Sequence, residues 1–430
     1  MLALVAGAFF VHGAHARPQA CNAKNWAWQD RFPSWSPNGP TIAFVRQQVG
    51  CDPPPESVGF VTPGEAARFY GTDARRGSTA PPSWAPSGLA VAYGRDRQTV
   101  RVTAPTGPVG DNGPGLYPSW AGDSIAVTVF TQLQVIQLGD AGGARRVLVP
   151  NYVKPTQSKG VAVWSPDGSR LAFGVVVNEN EGGIAIVNAD GSDYHVVGRG
   201  PNQSVNPTWS PDGTRIAFET NRDGKFDIYS VRADGTQLSN LSNSLADDRL
   251  PAWHGSTIAF ISDRDRAFRE VFGYSLYTMS EDGRVVIRRA ADLHPYSAPV
   301  WSPDGSKLAY SSGRECARWG IYMLELATNH SERLTNNCRF SGTPGRDVLR
   351  GTPFRDFLGG GAGADVIWAG GGADRISGGT GNDRLYGGPG DDYLEGDRGL
   401  DTIRCGAGHD TVIADKKDRV AHDCERVQRP

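Results

Sequence analysis

The sequence predicts an all-β protein in two parts: a seven-bladed, alternatively six-bladed, β-propeller followed by a C-terminal parallel β-roll. Three observations carry that expectation. Glycine and proline number 55 and 29 in 430 residues, which implies many turns and few long helices. A tryptophan-led block recurs every forty-odd residues through the first 340 positions. Beyond it an aspartate recurs every nine residues. Internal periods of this kind mark architectures built from stacked or radially repeated units.

The tryptophan block opens each unit of the first part. It reads WSPNGPTIAF from Trp35, WAPSGLAVAY from Trp84, WAGDSIAV from Trp120 and WSPDGSRLAF from Trp164. It continues as WSPDGTRIAF from Trp209, WHGSTIAF from Trp253 and WSPDGSKLAY from Trp301. The seven tryptophans stand 49, 36, 44, 45, 44 and 48 residues apart. After the turn comes a short apolar strand such as Ile216-Ala217-Phe218, then a second such as Asp227-Ile228-Tyr229-Ser230. Asp-Gly pairs at Gly191, Gly235 and Gly283 suit tight hairpins, because glycine takes positive φ without a steric penalty. Three or four antiparallel strands per unit describe propeller blades. The tryptophan is expected between blades, Pro and Gly shape the turn, and Asp accepts from its N–H groups.

The block resembles the repeat of TolB-like propellers, with the full W-S-P-D-G at Trp164, Trp209 and Trp301. The resemblance covers roughly residues 30–338, and the units at Trp84, Trp120 and Trp253 depart from it in the turn. Such propellers commonly have six blades, which is the source of the alternative count. On a propeller, function usually sits on loops around the central channel. Arg46, Arg95, Glu219, Arg222, Asp263, Arg264 and Arg314 follow first strands and are candidates there; the plainer reading makes them solvated rim residues.

In the second part, 20 of the 55 glycines fall within residues 341–424. Asp347, Asp356, Asp365, Asp374, Asp383, Asp392, Asp401 and Asp410 are spaced nine apart without a slip. Two residues after each stands Leu349, Leu358, Ile367, Ile376, Leu385, Leu394, Ile403 or Val412. The pattern is G-G-x-G-x-D-x-U-x, where U is aliphatic. The glycine half must turn through backbone conformations that a Cβ obstructs, and the x-U-x half is a short strand pointing one aliphatic side chain inward. Two nonapeptides make one coil turn, so equivalent aspartates of successive turns approach each other and need a cation between them. Ca²⁺ fits, since it accepts six or more oxygens, backbone carbonyls included. Bare carbonyls and carboxylates offer no soft ligand for zinc or copper.

This array resembles the RTX, or haemolysin-type, calcium-binding repeat, most cleanly in GGTGNDRLY from Gly378 and GGPGDDYLE from Gly387. The resemblance implies several Ca²⁺ ions, each between alternate repeats and held by aspartate carboxylates and loop carbonyls. Carried over, Asp347, Asp365, Asp383 and Asp401 line one edge and Asp356, Asp374, Asp392 and Asp410 the other, with about six sites at most. The loop glycines would be Gly360, Gly361, Gly363, Gly370, Gly372, Gly378, Gly379, Gly381, Gly387, Gly388 and Gly390. Phe354, Asp397 and Cys405 replace glycines and weaken the outer sites. Without metal the roll is expected to be largely unfolded, because its core is thin and its aspartates repel.

Residues 1–16, MLALVAGAFFVHGAHA, read as a secretory signal ending in an Ala-x-Ala cleavage site. Residues 17–340 are then the propeller, 341–413 the roll and 414–430 a C-terminal cap. Six cysteines fit an exported protein. Their clustering suggests Cys405 with Cys424, Cys316 with Cys338 and Cys21 with Cys51, with Cys21–Cys338 as the main rival. No later run is apolar enough to span a membrane, and a formal net charge of -2 argues against a general nucleic-acid binder.

The favoured function is a secreted or cell-envelope calcium-binding protein whose propeller is a platform for an unknown protein or glycan. No catalytic residue is assigned. The sequence has no H-E-x-x-H and no G-x-S-x-G, so the zinc protease and serine hydrolase motifs are not matched. A hydrolase or lyase site in the channel and a structural surface-layer or matrix component are the alternatives.

Overall fold

A computed structural model describes residues 27–429 except 50–55, 64–66, 75–80, 96–98, 105–106, 115, 130–131, 138–144, 150–161, 266–272, 314–318, 336–338 and 352–355. The signal segment, Cys21, Cys51, Cys316, Cys338, Arg314 and Phe354 therefore lie outside the described residues. Among those described, every regular element is a strand, so the protein is all-β. No described helix is long and apolar enough to cross a membrane.

The described residues of the first part hold seven four-stranded antiparallel sheets, each continuous in sequence: 27–74, 83–114, 116–149, 163–201, 204–240, 248–290 and 300–333. The first strand of each lies against the first strand of the next, and Val300–Trp301 returns to Ala27–Trp35. The sheets thus form a ring, with those first strands innermost. Ile216, Ala217 and Phe218 are consecutive and all fully buried. Both faces of the sheet are covered by neighbouring blades, which explains short apolar runs in place of strict alternation. One core cluster joins Ala217 and Ile228 of the fifth sheet to Trp253, Ile258, Phe260 and Tyr277 of the sixth.

The tryptophans bind the ring as the sequence suggests. The indole N–H of Trp84 donates to Ser34 O at 2.9 Å, that of Trp164 to Ser119 O at 2.9 Å and that of Trp209 to Val163 O at 3.2 Å. Trp301 reaches Ala252 O, and Trp35 of the first sheet reaches Val300 O of the last. Trp120 and Trp253, whose turns lack Ser-Pro, turn back instead to the carbonyls of Gly122 and Gly255. The ring closes by packing: Phe44 and Ile42 meet Ala309, Ile321 and Met323, and among the described residues no strand is shared between first and last sheets.

In the second part the strands are instead parallel, short and in register. Its chain alternates between a six-stranded sheet beginning at Arg339–Ser341 and a five-stranded sheet beginning at Val348–Arg350. Leu358 pairs with Ile376, Ile376 with Leu394 and Leu394 with Val412, each 18 residues on. Ile367, Leu385 and Ile403 do the same on the other face. These aliphatics form one narrow core with Ala369, Cys405 and Ala414. The segment after Val412 does not leave the coil. Arg419–Val420 and Arg426–Gln428 add a strand to each sheet, and the Cys405–Cys424 disulfide (Cα–Cα 5.2 Å) ties that last turn to the one beneath.

Candidate metal centre

The aspartates of the nonapeptides form two ladders, each rung one coil turn from the next. On one edge the N–H of Asp347 donates to Oδ1 of Asp365, that of Asp365 to Asp383 and that of Asp383 to Asp401, all at 2.8 Å. On the other, the N–H groups of Asp356, Asp374 and Asp392 donate to Asp374, Asp392 and Asp410 at 2.6, 2.8 and 2.8 Å. The sets of four are those of the sequence register. The register did not show that each carboxylate spends one oxygen on the preceding aspartate's backbone.

The second oxygen is what remains for a ligand. Oδ2 of Asp365, Asp383, Asp392, Asp401 and Asp410 is buried and accepts no hydrogen bond, although these side chains are at most 2% exposed. A buried acceptor left bare is destabilising by about 1–3 kcal/mol, more when charged. Burial and like-charged neighbours push Asp392 and Asp401 up to about 6, and raise Asp383 and Asp410 in the same direction.

Six of the eight aspartates have glycine five residues before them, with Ala369 before Asp374 and Cys405 before Asp410, and that glycine leaves the space this oxygen faces. A Cβ on Gly378 would lie 2.7 Å from Asp383 Oδ2 and 2.7 Å from Gly396 O. On Gly387 it would lie 2.4 Å from Asp392 Oδ2 and 2.5 Å from Cys405 O, and on Gly360 2.5 Å from Asp365 Oδ2 and 2.4 Å from Gly378 O. The positions four and two before the aspartate take left-handed backbone, as at Gly379 (φ 97°) and Gly381 (φ 129°), or Gly388 and Gly390. Gly361, Gly363, Gly370 and Gly372 do likewise. Asp397, in the glycine position of its turn, holds φ 63°, and its carboxylate accepts from Ser377 Oγ. No three His, Cys, Asp or Glu side chains among the described residues converge on one point. At Gly360, Gly378 and Gly387 the donors are one carboxylate plus a carbonyl of the next turn, an all-oxygen set that fits Ca²⁺.

The ends differ from the interior. Asp347 is half-exposed, and its Oδ2 already accepts from Thr343 N and Oγ1 at 2.6 and 2.9 Å. At Asp410 the residue five before is Cys405, whose side chain stands where the interior turns have glycine or, before Asp374, Ala369. Sequence reading missed two acids that prolong the ladders: Asp401 N–H donates to Asp418 Oδ1 at 2.9 Å and Asp410 N–H to Glu425 Oε2 at 2.8 Å.

Residues 126–337 match the family model of the TolB beta propeller domain. Residues 341–376, 368–403 and 377–412 match the RTX calcium-binding nonapeptide repeat. The chain joins a TolB-like propeller to RTX calcium-binding repeats. The Tol-Pal system protein TolB of Alcanivorax borkumensis is 29% identical over 160 residues, 36% of this chain and 36% of that protein, so the chain spans about a third of that relative. Among solved structures, a Mycobacterium tuberculosis puromycin-hydrolyzing peptidase is 14% identical with a TM-score of 0.55, covering 76% of this chain and 63% of that one. The propeller domain of the Trilobed protease from Pyrococcus furiosus, described as having an open velcro topology, is 12% identical with a TM-score of 0.52, covering 72% and 98%. These two likenesses show the fold alone.

Within the TolB-like propeller the candidate channel residues Arg46, Arg222, Arg264 and Glu219 are built into the blades. Arg46 pairs with buried Asp30 (2.6 Å) and Arg264 with buried Asp248 (2.8 Å). The Arg264 guanidinium also lies 4.9 Å from the Tyr277 ring centroid, and that of Arg222 lies 4.7 Å from Tyr229. Glu219 is fully buried and accepts from Arg249 Nη2 at 3.1 Å and Leu250 N at 2.6 Å, bridging the fifth and sixth sheets. Burial drives its pKa up, opposed by Arg249. Asp263 accepts from Asp247 N at 2.8 Å. Arg95 ends the strand Val91–Arg95. Sequence alone does not separate an arginine at a loop mouth from one stacked inside a blade.

Proposed function

We propose that this chain is an exported calcium-binding protein in which Ca²⁺ folds the RTX roll and the propeller presents a binding face to a protein or glycan. The observation that carries the calcium reading is the row of buried, unpartnered Oδ2 atoms facing glycine-lined space with carbonyls opposite. The interior aspartates from Asp365 to Asp401, with the loop carbonyls of the glycine halves, would hold the ions. Bound Ca²⁺ supplies positive charge and oxygen coordination where the fold leaves carboxylates without partners.

The signal-like sequence of residues 1–16 supports export; free calcium is plentiful outside cells, so a roll that needs it would stay unfolded until delivered. The partner-binding role rests on the closed ring and on the engagement of Arg46, Arg222, Arg264 and Glu219 in holding blades together. We therefore read the chain as a binding protein and not as an enzyme. The test is a calcium titration of the full chain followed by far-UV circular dichroism. The β signal should rise saturably with Ca²⁺ and fall on chelation. A spectrum indifferent to calcium would overturn the reading.

A further inference from the structure

We infer that the C-terminal turn, beyond the last nonapeptide, carries a calcium site of its own between Asp401 and Asp418. This rests on the calcium reading of the roll and extends it to residues outside the repeat. The chain keeps coiling after the period lapses, but the step shortens: Ile403 pairs with Val420 at 17 residues and Val412 with Val427 at 15. The shortened step brings Asp418 into the position that a nonapeptide aspartate would hold above Asp401. Its Oδ1 accepts the Asp401 N–H at 2.9 Å, as Asp401 Oδ1 accepts that of Asp383 at 2.8 Å.

The donor set then changes. In the interior, the space at the glycine lies between one carboxylate and the carbonyl of the next turn, as at Gly378 between Asp383 Oδ2 and Gly396 O. At Gly396 a Cβ would lie 2.9 Å from Asp401 Oδ2 and 3.1 Å from Asp418 Oδ2. The second carboxylate faces the space that a carbonyl faces elsewhere. Asp401 is 1% exposed and its Oδ2 is without a partner, so the fold aims an uncompensated charged oxygen into this space. Asp418 is buried too, and its Oδ2 accepts only the Asp415 N–H at 2.6 Å among the bonds of the described residues. Two carboxylates on one hard cation raise its affinity above that of a site with one. The other edge ends without such a site: Cys405 takes the glycine position before Asp410, and its sulfur is committed to Cys424. One ladder thus ends in a cation and the other in a disulfide.

The experiment counts calcium ions bound by the full chain, using Ca²⁺ alone in equilibrium dialysis. Asp418→Asn, which keeps an acceptor for the Asp401 N–H, should bind one ion fewer than the parent. Glu425→Gln, on the disulfide edge, should bind the same number. Asp418→Asn binding as many ions as the parent would overturn the inference, whereas a parent that binds none would overturn the calcium reading itself. Should Asp418→Asn fail to fold, calcium anomalous scattering from crystals of the parent decides. A peak between Asp401 and Asp418 supports the site, and peaks confined to the interior turns sink it.

Discussion

Asp212 of the propeller stands beside Gly213 and Asp392 of the roll two residues after Gly390, yet the two regions treat the same carboxylate in opposite ways. Asp212 accepts from Ser210 Oγ, Thr214 N and Thr214 Oγ1 at 2.6, 3.0 and 2.8 Å, and these bonds lower its pKa. Asp167 and Asp304, in the same turn of other blades, are held at about 2 by the serines around them. Asp392 is buried, spends one oxygen on Asp374 N–H and leaves the other bare, so its pKa is pushed up to about 6. A propeller turn closes its own electrostatics within five residues. The roll leaves a deficit that something outside the chain must fill.

The largest effect expected from this difference is selective unfolding. Chelation should remove the β signal of residues 341–429 while leaving the propeller's melting transition in place, because a ligand stabilises only the state that binds it. Limited proteolysis with and without chelator checks this: the roll should be cut and the propeller retained. Simultaneous loss of both would mean that the propeller depends on the roll, and the contrast would fail.

Next comes position along the ladder. Asp383→Ala should raise the half-saturating calcium concentration roughly tenfold more than Asp347→Ala, about 1.4 kcal/mol. Asp383 is 1% exposed with Oδ2 unpartnered, whereas Asp347 is half-exposed and already satisfied by Thr343. Calcium titrations of the two variants decide it; equal shifts would mean that the end turn is as good a site as an interior one.

The two regions should also respond to pH with opposite sign. A carboxyl whose folded pKa lies above its unfolded 3.8 stabilises the fold fully below that value and loses the contribution as pH rises through the folded pKa. For Asp392 and Asp401 that window runs from about 4 to about 6. In chelator the roll should therefore hold more β structure at pH 5 than at pH 7.5, with protons standing in for the cation; saturating calcium should remove the preference. Asp167 and Asp304 are lowered, so their contribution is present above 3.8 and fades only as pH falls toward 2. A metal-free roll more ordered at pH 7.5 than at pH 5 would contradict the burial of its aspartates.

Much of this was legible in the sequence because both repeats impose a register. Nine-residue spacing alone sorts the eight aspartates into the two ladders observed, and the tryptophan block marks every innermost strand. The misses share a cause. Asp418 and Glu425 join the ladders through steps of 17 and 15 residues, so a search for strict period nine passes over them. Arg46, Arg222 and Arg264 follow first strands as loop residues would, but aromatic rings and buried acids draw them into the blades. Thr343 takes up the Asp347 carboxylate through a local bond that composition does not foretell.

The smallest expected effect tests the self-sufficient side of the comparison. Asp212→Ala removes three hydrogen bonds within one exposed turn, and the net loss should be about 1 kcal/mol, since solvent replaces most of what each bond provides. The fifth sheet keeps its buried core and its indole bond from Trp209 to Val163 O, so the ring should remain closed. The propeller transition of Asp212→Ala should fall slightly and by the same amount with calcium or with chelator. A calcium-dependent shift would show that this turn, too, draws on a cation, and the division between the two kinds of aspartate would no longer hold.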